Sequence, residues 1–199
     1  VRLFGDSRYD TNLAILDEAG VAGDSIIVAT GKNFADSLSA SAAKLPILLV
    51  KPNAALNAEQ KEILAGMKNI YIVGGEGAVS TAYENELKSF GEVTRVFGNS
   101  RYDTSVAVAK EFCKNAELAV VASGKNFPDG LCGGPLAAAL SAPLVLTADE
   151  KTDAAAGYMG ANNVESGYVL GGDGALADKT VVDVFELESA DEIVLKSHL

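Results

Sequence analysis

The stretch IIVATGKNFADSL runs from Ile26 to Leu38, and AVVASGKNFPDGL runs from Ala119 to Leu131. Each opens on a short apolar run, passes through Gly-Lys-Asn-Phe, and enters a segment whose second residue is acidic, Asp36 or Asp129. A continuous apolar run closed by glycine is what a strand covered on both faces presents. A strand that leads within a few residues into a helix, with further strands of the same kind behind it, predicts a parallel sheet flanked by helices. The two copies stand 93 residues apart. The chain therefore reads as α/β, built twice.

The duplication continues outward from this stretch. RLFGDSRYDT at Arg2 to Thr11 returns as RVFGNSRYDT at Arg95 to Thr104, with eight of ten positions identical and the same spacing of 93. YIVGGEGAVS at Tyr71 to Ser80 returns as YVLGGDGALA at Tyr168 to Ala177, now 97 residues apart. Pro46-Ile47-Leu48-Leu49 matches Pro143-Leu144-Val145-Leu146 at that larger offset, so four residues enter the second copy before Pro143. Blocks kept in order at nearly constant spacing mean duplication. Two homologous modules are expected at residues 1–94 and 95–188, with 189–199 as a tail that matches neither.

Within the first module the pattern predicts helices over 12–19, 34–44, 57–67 and 81–90, and strands over 26–29, 47–50, 70–73 and 93–97. Asp10 or Thr11 is expected to cap the first helix, and Tyr9 to pack as an aromatic with a polar tip. Small residues around Ala40 to Ala43 and Gly133 to Ala139 predict close approach of a helix to a sheet or another helix.

The net charge of −11 argues against a nucleic-acid partner, which calls for a basic surface. No run approaches the roughly 18 uncharged apolar residues of a membrane span. The chain opens at Val1 without a basic-then-apolar leader, which fits an excised piece of a longer protein and says nothing of its compartment. The two cysteines, Cys113 and Cys132, align with Gly20 and Ser39, form no metal-ligand spacing, and read as small buried residues. The single histidine, His198, lies in the tail. Without a well-held imidazole there is no Ser-His-Asp, Cys-His or histidine–zinc arrangement. No catalytic residue, no metal ligand and no cofactor is assigned.

Two phosphate-binding motifs bear on these glycine-rich loops. A P-loop is missing, because Asn33 and Asn126 follow the Gly-Lys pairs where a hydroxyl is needed. Gly172 to Ala177 fits the GxGxxA spacing of a dinucleotide turn, but the first copy ends in Ser80 and no acidic ribose partner follows in both copies. A tight strand-to-helix turn explains those glycines. The loops Gly31-Lys32-Asn33 and Gly124-Lys125-Asn126 stand where ligands sit in open α/β sheets, past the carboxyl ends of strands. Gly31 and Gly124 permit unusual backbone angles. Asn33 and Asn126 offer donors and acceptors. Asp36 and Asp129 fall in the first helical turn, either as dipole partners that also grip an arginine or as ligand contacts.

Arginine is confined to the decamers: Arg2, Arg8, Arg95 and Arg101 are the four in the chain. A guanidinium fork suits carboxylates. Fixed Arg–Asp pairs, inside or between modules, and outward-facing contacts to an anionic ligand are equal readings of that placement.

Taken in order, Arg-x-x-Gly-x-x-Arg-Tyr-x-Thr, then Gly-x-Asn-Phe-x-Asp-x-Leu, then Pro-Ile-Leu-Leu, then Tyr-Ile-Val-Gly-Gly-x-Gly-Ala-Val-Ser resembles the type 2 cell wall binding repeat of Gram-positive bacteria. The resemblance covers both modules. It implies a Toprim-like or Rossmann-like fold and an extracellular, non-catalytic anchor at the cell wall. It further implies recognition of an anionic wall polymer, a polysaccharide or teichoic-acid-like chain. Such repeats commonly come in threes about a pseudo-threefold axis, so a neighbouring repeat or a homo-oligomer is an expected partner. The candidate contacts are Arg2, Arg8, Arg95 and Arg101 with Lys32, Asn33, Lys125 and Asn126, and Asp36 and Asp129 as orienting partners. The other functions kept open are a nucleotide-binding α/β enzyme using the Gly-Gly-x-Gly turns and a purely structural assembly module.

Overall fold

The computed structural model describes residues 1–52 and 54–196. The first module runs α1 (Arg8–Ala19), β1 (Ser25–Thr30), α2 (Ala35–Ala40), a 3-10 turn at Ser41–Ala43, β2 (Ile47–Val50), α3 (Ala58–Leu64), β3 (Asn69–Val73) and α4 (Thr81–Leu87). Next comes β4 (Glu92–Val96). The order then repeats as α5 (Arg101–Phe112), β5 (Ala119–Ser123), α6 (Pro128–Leu140), β6 (Leu144–Thr147), α7 (Asp153–Asn162), β7 (Gly167–Leu170) and α8 (Asp178–Phe185), followed by a 3-10 turn at Ala190–Glu192. All strand pairs are parallel, in the orders β2-β1-β3-β4 and β6-β5-β7. The architecture is the expected α/β one, with helices on both faces of parallel sheets.

The apolar run of β1 explains its central place. Ile26, Ile27, Val28 and Ala29 are all fully buried, so both faces of that strand are covered. Ile27 pairs with Ile47 of β2, and Ile26 with Ile70 of β3. Ile26, Val28, Ile70 and Ile72 face α1, α3 and α4 in the core of the first module. Val121 and Val145 do the same beneath α5, α7 and α8 in the second.

The opposite faces of the two sheets meet across a shared helical layer. From the second module, Val108 of α5 packs with Ile27, Val73 and Val96 of the first sheet. From the first module, Ala35 and Leu38 of α2 pack with Val120, Ala122, Leu144 and Leu146 of the second sheet. Each large aliphatic buried in this way contributes about 2 kcal/mol. Glycines let the helices close up: a Cβ on Gly134 would lie 1.9 Å from Ser41 Oγ, and one on Gly130 would lie 2.7 Å from Leu38 Cδ2. The small residues expected to permit close approach do so here. The four inserted residues lengthen α6 by about one turn relative to α2 and its 3-10 turn together.

Two local expectations are corrected. Helix α1 starts at Arg8 rather than 12, because Ser7 is its cap and Ser7 Oγ accepts from the Asp10 amide. Asp10 accepts instead from the Ser7 hydroxyl at 2.6 Å, and Thr11 Oγ1 accepts from the Gly5 amide at 3.0 Å. Of the cysteines, Cys113 is half-buried but Cys132 is exposed. Burial raises the Cys113 thiol, against a smaller opposing effect of Lys44. His198 lies outside the described residues.

The expected module boundary at 94/95 falls inside β4. Arg95 and Val96, the first residues of the second decamer, pair with Ile72 and Val73 of β3. The decamer thus supplies the end of the last strand of one sheet and the start of the first helix of the next module.

Candidate functional site

The repeated decamer and the repeated Gly-Lys-Asn-Phe loop form one unit. Arg8 Nη1 donates to the Gly31 carbonyl at 2.8 Å, and Arg101 Nη1 donates to the Gly124 carbonyl at 2.6 Å. Beside each arginine a tyrosine ring lies on the same glycine. A Cβ at Gly31 would stand 2.5 Å from Tyr9 Cε1, and one at Gly124 would stand 2.6 Å from Tyr102 Cε1. Neither glycine has a positive φ. Room for the ring, and not the unusual backbone angle expected from sequence, explains these two glycines.

The decamer's own turn is held the same way in both copies. Gly98 donates to Thr104 Oγ1 at 3.0 Å, and Ser100 Oγ donates to Asp103 at 2.7 Å. At Gly5 and Gly98 a Cβ would collide with the Cβ of Asp10 and Asp103, at 2.4 and 2.3 Å. Arginine, glycine, tyrosine, aspartate and threonine are therefore kept together by one clasp.

Arg95 stands apart from the other arginines. Its Nε donates to Glu84 Oε2 at 2.9 Å, and its Nη1 donates to the Gly74 carbonyl at 2.9 Å. The pair is largely sheltered, with Arg95 11% and Glu84 20% exposed. Hydrogen bonds from Lys88 and then Arg95 hold the Glu84 carboxyl below its ordinary range. The fixed partners of Arg8, Arg95 and Arg101 are carbonyl oxygens and a glutamate, where aspartates were one expected choice. Arg2 is exposed.

Asp36 and Asp129 take matching places under the Gly-Gly turns. A Cβ on Gly74 would lie 2.7 Å from Asp36 Oδ2, and one on Gly171 would lie 3.0 Å from Asp129 Oδ2. Both glycines have positive φ, 117° and 98°, so each turn needs glycine twice over. Burial raises the Asp36 pKa, and the charge of Arg101 offsets part of that rise.

These parts converge at the carboxyl end of the first sheet. A cleft of about 300 Å³ opens there, lined by Asn33, Asp36, Gly75 and Gly77 of the first module and by Asn99, Ser100, Arg101 and Thr104 of the second. The site is composite: loops of one repeat face the decamer of the next. Arg101 also stacks over Phe34, 5.4 Å from the ring centre. Of the expected contacts, the structure gathers Asn33, Asp36 and Arg101 in this cleft, and Lys32 is an exposed neighbour of Asn33 on the same loop. Arg2 and Arg8 belong to the N-terminal decamer, and Lys125, Asn126 and Asp129 to the second copy of the loop. Asn99, Ser100 and Thr104 were not singled out from sequence, although their place inside the repeated decamer was the available signal.

The two loops differ electrostatically. Lys125 Nζ lies 3.3 Å from Asp149 Oδ2, whereas Pro52 stands at the matching position in the first module. Asp149 also accepts from Thr180 Oγ1 and from the Ala177 amide, and these bonds lower its pKa. That carboxylate occupies the start of α8, the place a dinucleotide's pyrophosphate would need. In the first module Ser80 caps α4 and Glu84 lies in its first turn. Neither helix start offers a vacant anion seat. Among the described residues no group of three or more His, Cys, Asp or Glu side chains could hold a metal ion. No helix among them is long and apolar enough to cross a membrane.

Comparison with known proteins agrees with this repeat structure. The family described as cell wall binding domain 2 matches residues 2–84 and 95–181. An amidase enhancer of Bacillus subtilis is 32% identical over 75% of the chain, and the N-acetylmuramoyl-L-alanine amidase LytC of the same organism is 30% identical over 89%. The chain spans only 22% of the first relative and 37% of the second. Among solved structures, Cwp8 from Clostridium difficile superposes with a TM-score of 0.82 at 27% identity, over 94% of this chain and 34% of that one. With both matched segments carrying the decamer and its clasped loop, the chain belongs to the cell wall binding domain 2 family.

Proposed function

We propose that the chain is a non-catalytic anchor that holds a surface protein to the bacterial cell wall by binding an anionic secondary wall polymer without a covalent bond. The family assignment places the chain outside the cell, at the wall. The observation that carries the anionic reading is the cleft between repeats. It has Arg101 on one wall and Asn33 with Asp36 on the other, and the exposed Lys32 stands next to Asn33 on the same loop. A cation with several amide and hydroxyl donors suits a phosphate or carboxylate set among sugar hydroxyls. The protein's net charge of −11 opposes long-range attraction. Beyond about 8 Å, however, physiological salt screens it, so the local cations dominate at contact.

The test is calorimetric titration of purified wall polymer into the chain. Lys32→Ala with Asn33→Ala removes exposed donors without touching the clasp. Charge-assisted hydrogen bonds of about 1.5–3 kcal/mol imply a loss of about 10- to 100-fold in affinity. Unchanged affinity in the variant, or binding to peptidoglycan stripped of the polymer, would overturn the reading.

A second reading, a module for assembly alone, is favoured by one fact: Arg8, Arg95 and Arg101 each already donate to a carbonyl of the chain itself. Arg8→Ala and Arg101→Ala together separate the two. Loss of self-association with full polymer binding supports assembly, and the reverse supports a ligand site.

A further inference from the structure

Among the described residues the second sheet is one strand short of the first: the first continues past β3 to β4, whereas β7 is the last strand of the second. Ala119 of β5 donates to the Ser166 carbonyl. By the alternation of a parallel ladder, Gly167 and Val169 turn their peptide groups to the outer side. Tyr168 is 47% exposed, whereas its counterpart Tyr71 meets Phe112 edge-on at 4.9 Å. An open edge of this kind is a template for another strand, and folded proteins cover it.

The chain carries a segment that fits. After the last 3-10 turn, Ile193 is extended, with φ −78° and ψ 111°. Val194 and Leu195 follow, 79% and 83% exposed. In the first module the matching strand sets Val93 opposite Ile70 and Arg95 opposite Ile72, and Arg95 reaches Glu84 on α4. At the position of Glu84 the second module has Val181, buried on α8. A strand on β7 therefore needs an apolar residue where β4 has its arginine. With Ile193 opposite Gly167, that residue is Leu195.

The competing occupant, the Arg2–Gly5 segment of a second copy, would bring a guanidinium against Val181 and leave it unpaired. It would also bear the cost of association, which a segment tethered to the same sheet avoids. We infer that residues 193–196, which lie outside any strand and unpaired in the structure, can dock onto the free edge of β7 as a fourth, parallel strand, with Ile193 opposite Gly167 and Leu195 opposite Val169. In the docked arrangement Ile193 and Leu195 cover Val181 and Phe185, and Val194 comes beside Tyr168.

Amide hydrogen exchange at Val169 tests this directly. In the full chain the amide is protected. In a chain ending at Glu192 it exchanges at least about 10-fold faster. Equal rates in the two chains would overturn the inference. A charge exchange gives the second test. Val181→Glu lowers Tm by about 3–6 °C, and adding Leu195→Arg restores most of that loss by rebuilding the pair of the first module. No restoration counts against the assigned register. Protection that depends on protein concentration and vanishes when residues 1–4 are removed would assign the edge to a second copy, and the proposal would fall.

Discussion

The guanidinium carbon of Arg101 lies 5.4 Å from the ring centre of Phe34, so a cation of one repeat rests on an aromatic of the other. Phe34 also meets Phe127 at 5.8 Å, with the rings tilted by 58°. The two loops and the decamer between them are thus joined through one ring. Phe34→Ala removes both contacts and part of the seam's apolar surface. Urea denaturation is expected to show a loss of about 2–3 kcal/mol, while Phe34→Tyr stays within about 1 kcal/mol.

Helix contact at the seam depends on a missing side chain. Gly134→Ala places a Cβ against both Oγ and Cβ of Ser41. The expected cost is about 1–3 kcal/mol from overpacking. Adding Ser41→Gly removes the obstacle, and the double variant should recover most of the loss in a denaturation cycle.

Asp36 gives the seam a pH dependence of defined sign. Burial holds its proton to a higher pH in the folded chain than the ordinary 3.8 of the unfolded one. Its contribution is therefore full below that unfolded value and is lost as pH rises through the raised folded value. Asp36→Asn should raise Tm at pH 7, and its advantage should shrink as the pH is lowered toward 4. An equal advantage at both pH values would mean that the carboxyl is not desolvated in the folded protein.

Glu84 acts in the opposite sense. Lys88 and Arg95 hold its folded pKa below the ordinary 4.5, so its contribution is present above that value and lost as pH falls through the lowered one. Arg95→Met leaves Glu84 and the Gly74 carbonyl short of a donor, at a cost of about 2 kcal/mol at neutral pH. Thermal melts should show that deficit narrowing in acid.

Much of the fold was legible because its signals are local. Ile26 to Ala29 announces a doubly covered strand through its own side chains, and Pro46 and Gly74 mark where neighbouring strands start and stop. The pairing of β4 was not legible, because Arg95 and Val96 carry the sequence of one repeat and the hydrogen bonds of the other. The start of α1 was misplaced because Ser7, Asp10 and Thr11 are all capping residues, and only geometry shows which one accepts from the helix. At the cleft, concentration of arginine in the decamers pointed to a segment that the structure brings against the Gly-Lys-Asn-Phe loop. The partners of Arg8 and Arg101 stayed hidden because a backbone carbonyl is the same at every residue. The cleft residues Asn99 and Ser100 were hidden for a related reason: their facing wall lies more than twenty residues away, in the other module.

Because the end of β4, Arg95 and Val96, takes its letters from one copy and its ladder from the other, the unit that was duplicated and the unit that folds are out of phase. Recombination at a decamer boundary would strip the upstream neighbour of an edge while leaving the downstream copy whole. An array of this kind has a direction, in which each insertion finishes its predecessor. Chimeras spliced just after Val96 should therefore be sounder than those spliced just before Arg95.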